Sequence, residues 1–109
     1  MNSIKSNNEL PKHNLSVRLN QLEINAIKQS VLRLDPYAKI YLFGSRVDMN
    51  KEGGDIDLLI WSQTLNYEDK LHIKMRLFDL IEEQKVDIII AKDTTNPFIR
   101  IALKQGVLL

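Results

Sequence analysis

The chain has 109 residues, 44% of them hydrophobic, which suffices for one small domain with a modest core. It contains no cysteine and two distant histidines, His13 and His72, which excludes thiol nucleophiles, thiolate zinc sites, CxxC redox motifs and a histidine-rich metal centre. Fifteen Lys and Arg stand against 14 Asp and Glu, a formal charge of +1 that lacks the basic excess of a protein gripping nucleic-acid backbones.

Residues 1–18 read as a polar arm, with Lys5, Lys12 and Arg18 as a loose basic set, and 19–109 as a single domain. No apolar run is long enough to span a membrane or to form a signal-peptide core, so the cytoplasm is the expected compartment. Leu15 to Leu19 alternates apolar and polar residues, which suits a short edge strand or an extended arm. Asn20 with Glu23 three residues later predicts a capping box. Ile24, Ile27, Val31 and Leu34 then recur at helical spacing, and Asp35-Pro36 stops the helix.

Ile40 to Phe43 is β-prone and ends at Gly44-Ser45; residues 46–54 form a polar loop or single helical turn closed by a glycine pair. Ile56 to Trp61 is a second strand with Asp55 and Asp57 at its start. A helix capped near Asn66 follows, with Leu71, Met75, Phe78 and Ile81 as its expected core face. Val86 to Ala91 is nearly all apolar and is expected at the centre of the sheet. Asn96-Pro97 opens a last helix that runs to Lys104 and is ended by Gly106. This order predicts an α/β domain: a short mixed sheet flanked by helices.

The carboxylates carry the chemistry. Asp55 and Asp57 are two apart on one strand, so both project from the same face, with Cα atoms about 6.6 Å apart. Two such charges repel, and divalent cations relieve the repulsion. Oxygen-only ligands favour Mg²⁺ or Mn²⁺, and two ions ~3.5–4 Å apart suit phosphoryl displacement. Ile56, Leu58 and Ile60 face the other way, toward the helices. Asp87 is an acid inside an apolar run, costly to bury unless paired or ligating, and joins the cluster if the two strands are neighbours. Gly44 lets a phosphate approach the backbone, Ser45 offers donors, and Arg46 adds a charge-assisted contact. Lys92, just past the third strand, is a weaker candidate for the same site.

Gly44-Ser45, the loop, Asp55-Ile56-Asp57-Leu58 and Asp87 resemble the nucleotidyltransferase superfamily that includes DNA polymerase β. The length and the wording Phe43-Gly44-Ser45-Arg46-Val47 are similar to its minimal nucleotidyltransferases, single domains often encoded beside a HEPN-domain protein. The resemblance runs from about Asn20 to Leu109 and implies the polymerase β-like fold. It implies that Gly44 and Ser45 hold the triphosphate of ATP while Asp55 and Asp57 carry Mg²⁺. Asp87 is then a further metal ligand or the base that activates the acceptor hydroxyl. Several such domains are antitoxins that transfer AMP to a tyrosine of a HEPN ribonuclease toxin. One departure stands out: nine residues separate Ser45 from Asp55 where the family has ten, and Gly54 stands where it has Ser.

The expected activity is therefore Mg-dependent transfer of AMP from ATP to a hydroxyl of a HEPN-type partner within a hetero-oligomer, with no membrane and no direct nucleic-acid contact. The rival within enzymes is transfer to a small molecule with a helical partner subunit. The rival from another class is a non-catalytic nucleotide-binding module that neutralises or scaffolds its partner. His72, Trp61 and Tyr41 are read as surface, boundary and sheet packing.

Overall fold

The computed structural model describes residues 17–81 and 85–109; His13, Lys5, Lys12 and most of the expected arm lie outside them. The elements follow in the order α1 (Gln21–Leu32), β1 (Lys39–Phe43), a 3-10 turn (Gly44–Val47), β2 (Ile56–Trp61), α2 (Tyr67–Ile81), β3 (Val86–Ala91), α3 (Pro97–Gln105) and β4 (Val107–Leu108). The expected order is met with β4 added, a strand of two residues that no periodicity can register.

Each helix begins where a side chain satisfies its free amides. Asn20 Oδ1 accepts from the Glu23 amide (2.7 Å) while Glu23 Oε1 accepts from the Asn20 amide (2.9 Å), the predicted capping box. Asn66 and Asp69 exchange the same pair of bonds, both 2.9 Å, at the start of α2. Asn96 Oδ1 accepts from the Phe98 amide (2.8 Å), with Pro97 in the first turn of α3.

The sheet order is β3-β2-β1-β4. Strand β2 is parallel to β3 and antiparallel to β1, and β1 is antiparallel to β4. Ile56, Leu58 and Ile60 face α1 and α2, where Ile27 and Val31 meet Ile73 and Leu77. On the other face Leu59 and Ala91 pack against Ile99 and Ala102 of α3, with Tyr41, Phe43, Trp61 and Ile89 alongside. Helices thus cover both faces.

Two expectations are corrected here. Strand β3 is at the edge of the sheet, not its centre. Its apolar run reflects cover on both faces, by α2 and α3, and says nothing about how many strands flank it. On α2 the buried residues are Ile73 and Leu77, with Ile81 half-buried. Met75 and Phe78, expected in the core, are 67% and 69% exposed, and Leu71 is exposed as well. The helix carries apolar residues at two phases, and spacing alone does not say which phase turns inward. Residues 17 and 18, read as the end of the arm, are among the described residues. Val17 and Leu19 pack against the main core, and Arg18 between them bonds to the 3-10 turn.

Candidate active site

The register lines up Phe43 of β1, Asp57 of β2 and Asp87 of β3 across one end of the sheet. Directly matched residues of neighbouring strands project to the same face, so both carboxylates stand together on the α3 side. They occupy the end of the row that Leu59 and Ile89 continue beneath α3. Phe43 closes the β1 side by an edge-to-face contact with Phe98 (centroids 5.8 Å apart).

Strand β1 stops after Phe43 because Gly44 turns the chain at φ +77°. A Cβ at that glycine would collide with Asp57 Oδ2 and lie 3.3 Å from Asp57 Cγ. The carboxylate therefore rests against the bare Cα of the loop glycine. Any other residue at 44 would push the loop and Asp57 apart. This contact joins the two halves of the predicted site.

Asp57 carries an unfavourable charge. Partial burial raises its pKa above the ordinary carboxylate value, the charges of Asp87 and Asp55 raise it further, and Lys85 pulls it back. No hydrogen bond among the described residues reaches its carboxylate. Asp55 sits one residue before β2, and its Oδ2 is 3.7 Å from Lys85 Nζ, an exposed pair of small energetic weight. The structure thus brings Asp57 and Asp87 together and turns Asp55 toward Lys85. Among the described residues no group of three or more Asp, Glu or His converges closely enough to hold an ion unaided.

Arg46 has a different position from the one expected of a phosphate contact. It is buried, with 9% exposure, and its Nε donates to Gly54 O (3.1 Å) and its Nη1 to Arg18 O (2.7 Å). These bonds fasten the loop to the body of the protein. Lys92 lies past the far end of β3 from Asp87, where its Nζ donates to the carbonyls of Gln63 and Leu65, so it is not part of this site. Gly54 adopts φ +91°, and a Cβ there would strike Ser45 Oγ. The loop that is one residue short brings its last residue onto Ser45, which explains why a glycine occupies the place of the usual serine.

Sequence reasoning missed Lys74, Phe78 and Lys85 around Asp87, and Arg18 at the loop. Lys74 and Phe78 of α2 line an open cavity together with Lys85, Val86 and Asp87, on the side of β3 away from Gly44. Nothing in the sequence links α2 to Asp87; only the edge position of β3 exposes Asp87 to that helix. The other omission is Arg18, whose guanidinium donates to the carbonyls of Ser45 and Asp48, both at 2.9 Å.

A family model described as Polymerase beta, Nucleotidyltransferase matches residues 25–109. The chain belongs to that family. No curated protein matches it. The α/β architecture with a four-stranded mixed sheet is that of the polymerase β-like nucleotidyltransferase fold, and the chain carries a nucleotidyltransferase domain.

The family implies Mg²⁺ and a nucleoside triphosphate, and the residues fit. Asp57 is partly desolvated, faces a second carboxylate in register and has no hydrogen-bonded partner among the described residues, which is a poor place for a charge unless a cation sits beside it. Two carboxylates are also sufficient protein ligands, since Mg²⁺ is usually held by one or two acids together with substrate phosphates. Asp57 and Asp87 would hold it, with Asp55 near enough for its charge to act on Asp57. Such an ion would supply charge neutralisation at the phosphates.

Proposed function

We propose that the domain transfers AMP from ATP to a hydroxyl, a tyrosine being the expected acceptor, on a HEPN-type partner protein, and silences that partner as an antitoxin. The observation that carries this reading is the seat of the Asp57 carboxylate against the Cα of Gly44. It sets a loop suited to phosphate beside an acid pair suited to Mg²⁺.

The order across the sheet end then gives directions of approach. Gly44 and Ser45 lie on the β1 side, so the triphosphate enters there. Asp87 opens on the opposite side into the cavity lined by Lys74, Phe78 and Lys85, so the acceptor enters past α2. Its hydroxyl oxygen attacks the α-phosphorus, its proton passes to Asp87, and the bond to pyrophosphate breaks. Lys74 and Lys85 flank the cavity as cations on the side from which the acceptor approaches. The exposed apolar residues Leu71, Met75 and Phe78 continue from that cavity along α2 and favour a protein over a small molecule as acceptor.

One observation favours the non-catalytic alternative: Asp55 is engaged by Lys85. The deciding assay supplies ATP labelled at the α- or γ-phosphorus to the domain together with a candidate HEPN-type partner. We expect label on the partner from the α position alone, with a mass gain of one AMP. Met75→Ser/Phe78→Ser should keep the fold and lose that transfer. Label from the γ position, or tight complex formation without label, would overturn the adenylyltransferase reading.

A further inference from the structure

The inference drawn here rests on the proposed use of Gly44 and Ser45 as the triphosphate loop. Arg18 meets the 3-10 turn at four points. Its amide donates to Arg46 O (2.8 Å) and its carbonyl accepts from Arg46 Nη1 (2.7 Å). Its Nε donates to Asp48 O and its Nη2 to Ser45 O, both at 2.9 Å. Val17 and Leu19 on either side pack against the core, so the guanidinium is delivered from a fixed base.

Ser45 and Asp48 lie at opposite ends of one helical turn, closed by the bond from the Asp48 amide to Ser45 O (3.0 Å). A rigid, planar fork that spans their two carbonyls sets the pitch of the turn, which a single ammonium cannot do. Four residues of 3-10 helix leave carbonyls unsatisfied and have little stability of their own. The turn is therefore held from two directions, by Gly44 against Asp57 and by Arg18 against Ser45 and Asp48.

We propose that Arg18 is a positioning residue: it holds the Gly44–Val47 turn in a preformed shape, so the loop meets the triphosphate without first having to order. It does so through carbonyls of the loop and does not touch the nucleotide. A loop ordered before binding spares the ligand the cost of ordering it, and that gain appears as affinity.

The test is calorimetry of Mg–ATP on the full chain, with hydrogen exchange of the amides in 44–48 measured in parallel. Arg18→Lys keeps the charge and the aliphatic stem, so it should fold normally, exchange faster in 44–48 and bind Mg–ATP roughly ten-fold more weakly, the scale of one charge-assisted hydrogen bond. Arg18→Ala should lose at least as much in the wild type and distinctly less in a Ser45→Ala background, because the two residues act through one loop. If Arg18→Ala does not fold, the lysine variant decides. Wild-type affinity in Arg18→Lys, or fully independent losses in the double variant, would overturn the proposal. If the wild type does not bind Mg–ATP, the proposed function fails and the clasp is judged by exchange alone; unchanged protection of 44–48 in Arg18→Lys then sinks it.

Discussion

Asp57→Asn should make the metal-free protein more stable. Asp57 and Asp87 are register partners on parallel strands, and neighbouring strands lie about 4.8 Å apart. Two full charges about 5 Å apart repel by about 0.8 kcal/mol in water and about 3 kcal/mol at an effective dielectric of 20. Asp57 is half-buried, so solvent screening draws the figure toward the lower bound, about 1 kcal/mol. For a domain of this size, 1 kcal/mol corresponds to a rise in Tm of about 4–8 °C. Magnesium should act on only one of the two proteins, raising the Tm of the wild type and leaving that of Asp57→Asn nearly unchanged.

The pH dependence fixes the cause. The folded-state pKa of Asp57 is raised above its ordinary value of 3.8, first by burial and then by Asp87 and Asp55. The folded state therefore holds that proton more tightly than the unfolded chain does, and stability falls as pH rises from 3.8 through the raised value. Above that window the penalty is complete; below pH 3.8 it is absent. The advantage of Asp57→Asn should be full at neutral pH and close as the solution is acidified. Calorimetric melts in chelated buffer across that range are the measurement. A variant that melts at or below the wild type at pH 7 would mean that Asp57 performs a structural task, and the account of it as a charge awaiting a cation would be wrong.

Two further predictions concern positions where the local geometry is tight. Gly54→Ser restores the residue usual in the family, yet it should destabilise the protein by about 1–3 kcal/mol, the cost of forcing a side chain into left-handed backbone, and weaken nucleotide binding by displacing Ser45; equal stability by denaturant titration would refute this. At the far end of the sheet, Ser62 Oγ donates to buried Asp35 Oδ2 (2.5 Å) and, ahead of the Tyr37 amide, lowers the Asp35 pKa against the effect of burial. A lowered folded pKa contributes stability that is present above 3.8 and lost as pH falls through the folded value. Ser62→Ala should therefore cost about 1–3 kcal/mol at pH 7 and flatten the acid limb of the stability curve, whereas an unchanged limb would remove Ser62 as the cause.

What the sequence disclosed follows from which features are local. The caps at Asn20, Asn66 and Asn96 involve side chains two or three residues from the amides they satisfy, and all three were legible. The alternation of Ile56, Asp57 and Leu58 likewise fixed which side of β2 is core and which carries acid. The neighbour relation of Asp57 and Asp87 required only that two strands joined by a helix lie side by side. Features that depend on distant packing were not legible. An apolar strand reads alike at the edge and at the centre when helices cover both of its faces, so β3 was misplaced. Helix α2 has an inner stripe, Ile73 and Leu77, and an outer one, Leu71, Met75 and Phe78, and α1 selects between them. Arg18, grouped with the loose basic set of the arm, carries no sign of its contacts in the sequence, because its acceptors are backbone carbonyls 27 and 30 residues away.

Exposed Met75 and Phe78 are an inefficient use of apolar surface for stability alone. Left-handed Gly44 holds the loop against a carboxylate that burial and its neighbours both disfavour. Sequences that specify a fold tend to agree with it locally, and departures gather where function is carried. Here they gather along one line, from the Arg18 clasp through Gly44, Asp57 and Asp87 to the outer face of α2. A core placed centrally on β3 would have closed Asp87 on both sides. Its place at the edge is what leaves one carboxylate open to the cavity beside α2 while its register partner rests against Gly44.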